Sequence, residues 1–256
     1  MKPMTIPMRN RSMNTFPARA IASLPALSSD QMRQVDALMV AEYGIEPIQM
    51  MENAGRNLAD VAQAMLDGDL AQRPVLVLAG HGNNGGGGLA AARHLANRGA
   101  EVQVMLARAM ESLDAVPGQQ LKSLLAMGVS VTTAGDGWEL PSADLIIDAL
   151  IGYRLQSTPC GPEADLIQLA NSHPAPILAL DAPSGVDAGN GRAHEPCIRA
   201  AATMMLALPK TGLLALPELT GALLLADISV PSTLYDDLGL DATPIFHLSP
   251  ILRLHP

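Results

Sequence analysis

A chain of 256 residues and 26.7 kDa lies near the upper size for one hydrophobic core and is long enough to enclose a ligand site, so one domain with short extensions is expected. A net charge of −9 and a pI near 5.0 offer no broad basic surface for a phosphate backbone, and six scattered aromatic residues build no base-stacking platform; nucleic-acid partners are excluded. Apolar runs of strand length, such as 75–79 and 222–226, exclude a membrane span. Two cysteines, Cys160 and Cys197, without metal spacing or a signal-peptide core near Met1, point to a reducing, cytoplasmic compartment.

Residues 1–28 carry Lys2, Arg9, Arg11 and Arg19 but no acid, and Pro3, Pro7 and Pro17 interrupt any periodicity. They read as a flexible or loosely docked extension, with a targeting segment as the other reading. The domain itself is expected over 29–240. Ser28 and Gln31 fit a capping box, and Met32, Val35 and Met39 repeat at helical spacing through Ala41. A second helix over about 48–66 is suggested by Met50, Leu58, Val61, Ala62 and Met65, although Met51-Glu52-Asn53-Ala54-Gly55 is polar for a buried element. The apolar faces of this helix pair make a homodimer contact reasonable.

From Arg73 onward, short β-rich runs at 75–79, 102–106, 129–132, 145–149, 177–180, 203–207 and 223–227 alternate with helical segments at 89–98, 118–127 and 163–172. Continuously apolar strands separated by helices predict a three-layer α/β/α Rossmann-like sandwich with a mainly parallel sheet. Ligands of such sheets gather outside the carboxyl ends of the strands, so residues just after strands carry the functional information. Residues 241–256 remain as a tail, too short for a further domain.

Gly80-His81-Gly82-Asn83-Asn84-Gly85-Gly86-Gly87-Gly88 follows the first of these strands and precedes a helix. Six glycines in nine residues read as a loop whose N–H groups meet an anion at a helix N-terminus. The pattern formally satisfies a dinucleotide fingerprint, but Met105-Leu106-Ala107, ending the next strand, lacks the acid that a dehydrogenase uses for ribose, and no Gly-Lys-Ser/Thr ending makes a P-loop. Asn83 and Asn84 offer amides to a cation or a ligand. Asp148 interrupts an apolar run and needs either a cation or capping N–H donors. Asp181 opens Asp181-Ala182-Pro183-Ser184-Gly185-Val186-Asp187 at another strand end, where partial desolvation suits it to proton transfer. Lys210, one of three lysines in the chain, follows a further strand and either meets a phosphate or Asp181 or is a solvated turn residue. Among the histidines, only His81 is placed to reach a ligand.

Five blocks, Met51-Glu52-Asn53-Ala54-Gly55, Gly82-Asn83-Asn84-Gly85-Gly86, Asp148-Ala149-Leu150-Ile151-Gly152, Asp181 to Asp187 and Pro209-Lys210, occur in the order and spacing of the YjeF N-terminal domain family, which the chain resembles over about 29–240. The resemblance implies an isomerase that interconverts the R and S epimers of hydrated NADH or NADPH at ring carbon 6, in metabolite repair, feeding a separate dehydratase. It implies a potassium ion (K+) at Asn84, Asp148 and Ser184, dinucleotide contacts from Asn83, Asn84, Gly85, Gly86, Gly87, Gly152 and Asp181, and Asp181 as the catalytic group. Two departures stand out: Gly87 replaces the usual aspartate of that loop, and Tyr153 to Cys160 replaces a small glycine-containing loop. They raise the alternative of a catalytically impaired family member that binds nucleotide or protein. Asp181→Ala is expected to remove activity and leave the fold intact.

Overall fold

The computed structural model describes residues 12–135, 138–241 and 244–256. Nine strands form one sheet: β1 (Ala18–Ala20), β2 (Pro74–Ala79), β3 (Glu101–Leu106), β4 (Ser130–Thr133), β5 (Leu145–Ala149), β6 (Ile177–Leu180), β7 (Ala202–Leu206), β8 (Ala222–Ala226) and β9 (Ile251–His255). Their order is β1-β9-β8-β7-β6-β5-β2-β3-β4, and every pairing is parallel except β8 with β9. From β2 the chain steps outward through β3 and β4, then returns to β5 on the other side of β2. The gap between the ends of β2 and β5 is therefore the switch point at which open α/β sheets bind ligands.

Among the described residues seven α-helices accompany the sheet: α1 (Ser29–Ala41), α2 (Pro47–Met65), α3 (Asn83–Asn97), α4 (Ala115–Ala126), α5 (Pro162–Ser172), α6 (Pro217–Thr220) and α7 (Ser232–Asp237). Central strands are apolar on both faces because both are covered. Val75, Val77 and Ala79 of β2 pack with Leu58, Val61 and Ala62 of α2 and Leu89, Ala92 and Leu95 of α3, while Leu76 and Leu78 pack on the other face with Leu166, Ile167 and Ala170 of α5. The α1 capping box forms as expected, with Ser28 Oγ accepting from Gln31 N and Ser28 N donating to Gln31 Oε1. Met32, Val35 and Met39 are buried inside the subunit in a third apolar cluster, so this stripe of α1 is consumed internally. No described helix is long and apolar enough to cross a membrane.

Three expectations change. Residues 18–20, placed by sequence in a flexible extension, form β1 on the edge of β9, and Leu27 is fully buried, donating its N–H to the Pro209 carbonyl and bridging Lys210. Residues 1–11 lie outside the described residues. The supposed tail supplies β9, whose Ile251, Leu252 and Leu254 are buried. Neither three-residue β1 nor an end segment with prolines and a charged Arg253 shows an alternating pattern long enough to be read. Finally, the glycine segment is helix rather than loop: α3 begins at Asn83, six residues before the apolar periodicity of 89–98 starts.

Candidate active site

The glycines exist chiefly because two strand exits and three helices crowd together there. A Cβ on Gly85 would lie 1.9 Å from the Gly80 carbonyl oxygen, and one on Gly80 would lie 2.0 Å from that of Leu150, so the exits of β2 and β5 approach as only bare backbone allows. Gly86 is pressed against the Met51 sulfur and Pro117, and Gly88 against Ala149. Gly85 and Gly86 are thus packing residues behind the site, while Asn83, Asn84 and Gly87 line a cavity of about 680 Å³. The first intrahelical bond runs from Gly86 N to Gly82 O, leaving the preceding N–H groups of α3 as the anion-attracting end expected there.

Four consecutive residues after β5 lace the distant sequence blocks together. Leu150 N donates to Asp148 Oδ1 (3.2 Å), Ile151 N to Ser184 Oγ (2.9 Å) and Tyr153 N to Asp181 Oδ2 (3.0 Å). Gly152 sits between Asn84 and Asp181; a Cβ there would lie 2.9 Å from Asn84 Oδ1 and 3.3 Å from Asp181 Oδ2. Asn84, Asp148, Asp181 and Ser184 therefore meet around one short segment.

Asp181 follows β6 with φ +66°, a left-handed conformation that costs a non-glycine residue roughly 1–3 kcal/mol. The turn aims its carboxylate back over the sheet end, where Oδ1 lies 2.7 Å from Lys210 Nζ and Leu206 N approaches at 3.4 Å. Lys210 is fully buried and also donates to the Leu206 carbonyl. Of its two expected partners the structure shows Asp181: the ammonium lies behind the cavity lining as a counter-charge, and Asp181, 3% exposed, stands between it and the cavity. The geometry at Asp181 is a buried ion pair.

Asp148, in the middle of the sheet between Leu78 and Ala179, is fully buried. Burial raises its pKa to about 6 against the pull of hydrogen bonds from Ser184 Oγ (2.6 Å), Ser184 N (2.8 Å) and Leu150 N. No cationic side chain among the described residues offsets this charge. Nearby, the Asn84 amide nitrogen is buried without a hydrogen-bond partner among the described residues. Asp148 thus meets its need through capping donors from Ser184 and Leu150, while its carboxylate, the Ser184 hydroxyl and the Asn84 amide oxygen are the donor types that a hard monovalent cation takes. Among the described residues no group of three or more His, Cys, Asp or Glu side chains is arranged to hold a metal.

The segment after Gly152 walls the cavity and is latched to α1. Tyr153 Oη donates to Asp36 Oδ2 (2.7 Å), Arg154 donates to the same oxygen (2.9 Å) and to Tyr153 Oη (2.9 Å), and its guanidinium stacks 5.4 Å from the Tyr153 ring centre. Burial and the Asp36 carboxylate push the Tyr153 phenol up, so it remains a proton donor. Asp36 carried no signal in the sequence, being one polar position on an amphipathic helix. Arg108, after β3, and Glu163, at the start of α5, also line the cavity and were not singled out. His81 lies on the lining as anticipated.

A doubly wound sheet with a ligand-sized cavity at its switch point, a helix N-terminus and a buried acid–ammonium pair defines the class of small-molecule α/β enzymes that bind nucleotides. Within that class the chain belongs to the YjeF-related protein N-terminus family, whose model matches residues 47–212. It is 47% identical over 210 residues to the NAD(P)H-hydrate epimerase of Dehalogenimonas lykanthroporepellens, covering 82% of this chain and 84% of that protein. It is 36% identical to the protein of the same name from Truepera radiovictrix, covering 89% and 100%. The bifunctional NAD(P)H-hydrate repair enzyme Nnr of Moorella thermoacetica is 39% identical over 81% of this chain, which spans 41% of that longer protein. The crystal structure of yeast ynu0 superposes with a TM-score of 0.78 at 25% identity, covering 90% of this chain and all of the yeast chain.

Proposed function

We propose that the protein is an NAD(P)H-hydrate epimerase, an isomerase interconverting the R and S forms of hydrated NADH and NADPH. The observation that carries this reading is the convergence of Asn84, Asp148, Asp181 and Ser184 on residues 150–153 beside a cavity of about 680 Å³. Epimerisation at ring carbon 6 needs no redox partner. The ring nitrogen lone pair expels the hydroxyl, which leaves as water once protonated, and the resulting cation takes up water from the other face with loss of a proton.

Asp181 is positioned for both halves. Its carboxylate faces the cavity, where it stabilises developing positive charge in the ring and exchanges a proton with the departing or arriving water. Lys210 balances that carboxylate from behind and holds its plane, and Tyr153 N fixes its second oxygen. Asn83 and the start of α3 face the polar parts of the substrate, and Gly87 lines the cavity where an added Cβ would lie 2.8 Å from Leu180 Cδ2. A potassium ion held by Asn84, Asp148 and Ser184 would neutralise Asp148 and stiffen the 150–153 segment. A separate dehydratase would consume one epimer, as the longer bifunctional relatives suggest.

The test is chromatographic separation of the two epimers of hydrated NADH, incubated with the full chain with and without potassium. Accelerated exchange is expected; exchange no faster than the buffer control at high protein and added potassium overturns the reading in favour of an impaired binding protein.

A further inference from the structure

The acid that dinucleotide-binding sheets place after their second strand, beside the adenosine ribose, is absent here, and its position is taken by a base. β3 ends at Leu106, Ala107 N still bonds to Ala79 O of the neighbouring strand exit, and Arg108 follows on the cavity lining. In such sheets an arginine at this place accommodates a ribose 2′-phosphate where an acid would take the hydroxyls.

The state of the guanidinium suits that task. Its Nε donates to Glu163 Oε1 at 2.6 Å, and Glu163 is itself buried in the first turn of α5, so the group is held in one orientation. The terminal amino groups make no further hydrogen bond among the described residues, and the side chain is 51% exposed. The other arginines at the cavity are spent differently: Arg154 on Asp36 and Tyr153, Arg33 on Asp30 within its own helix. Position agrees as well. Asp181 follows β6 and Arg108 follows β3, three strand spacings apart in the order β6-β5-β2-β3, or about 14 Å, comparable with an extended dinucleotide whose reacting ring lies at Asp181.

We infer that Arg108, oriented by Glu163, is a specificity-determining residue that binds the 2′-phosphate of the substrate, so that the site favours the phosphorylated dinucleotide hydrate over the unphosphorylated one. This rests on the epimerase reading for the identity of the substrate. A phosphate monoester carries close to two negative charges at neutral pH and accepts the forked donors of a guanidinium.

Two measurements on the full chain test it. In epimer exchange, Arg108→Gln is expected to lower kcat/KM for hydrated NADPH by roughly 10- to 100-fold, the scale of lost charge-assisted hydrogen bonds, with the value for hydrated NADH near that of the parent and Arg108→Lys in between. Equal losses on both substrates, or none, overturn the inference. In calorimetric titration, adenosine phosphorylated on its 2′ and 5′ oxygens should bind the parent more tightly than the 5′-monophosphate, and Arg108→Gln should erase the difference. Equal affinities in the parent overturn the inference. Should neither hydrate be turned over, the epimerase reading falls while the titration still decides the phosphate site.

Discussion

Asp181 and Lys210 show how a single substitution can report on two things at once. Asp181→Asn removes the proposed proton carrier and also leaves the Lys210 ammonium buried without its partner, a disruption that typically costs about 3–5 kcal/mol. The variant should therefore be inactive and, though folded, markedly destabilised, and the double variant Asp181→Asn with Lys210→Met should regain most stability in denaturant unfolding while staying inactive in the exchange assay. Asp148 gives a pH test. Its pKa in the folded chain, about 6, lies above the ordinary 3.8, so the native state binds the extra proton between about pH 4 and pH 6 and stability falls as pH rises through that window. Asp148→Asn should flatten this slope, and potassium added at neutral pH should stabilise the parent but not the variant, both read from unfolding midpoints. Strand-end residue types were legible in the sequence. The pairing of Lys210 with Asp181 was one of several readings and could not be chosen, because Lys210 is 29 residues beyond Asp181 and 62 beyond Asp148.

At the scale of elements, α2 and α3 cross where glycine removes the side chains between them. A Cβ on Gly55 would lie 2.4 Å from Ala90 Cβ and 2.8 Å from Ala91 N, forcing α2 and α3 apart, and one on Gly88 would lie 2.5 Å from Ala149 Cβ, forcing α3 off β5. Gly55→Ala and Gly88→Ala should each cost roughly 1–3 kcal/mol in denaturant unfolding. Gly118, on α4 with nothing within 4 Å of an added Cβ, is the contrast: Gly118→Ala should be neutral or stabilise by up to about 1 kcal/mol. The element boundaries of β2, β3 and β5 to β8 were readable within a residue or so, since buried parallel strands are continuous apolar runs. The start of α3 was not. Glycine is chosen there for proximity to Gly80, Met51 and Ala149, and composition does not tell a glycine needed for close packing from one needed for a turn.

For the whole molecule, the decisive feature is that residues 18–20 and 251–255, far apart in the chain, close one side of the sheet. β9 pairs with β8 on one edge and β1 on the other, and Leu27 bridges Lys210 behind Asp181. Deleting residues 1–27 removes β1 and that bridge, leaving β9 as an unpaired edge. The shortened chain should melt at lower temperature and scatter more light on heating than the parent. The amino-acid sequence by itself determined the layered α/β class, the parallel central strands and the residue types at the strand ends, because burial on two faces and the chemistry of a binding site both constrain composition locally. Only the tertiary structure decided that residues 150–153 tie three separated blocks into one site, that Lys210 serves Asp181, and that residues 18–20 and 251–255 are strands. Each of those facts depends on which distant segment becomes a neighbour, and short or edge elements gain their stability from that neighbour rather than from any pattern of their own.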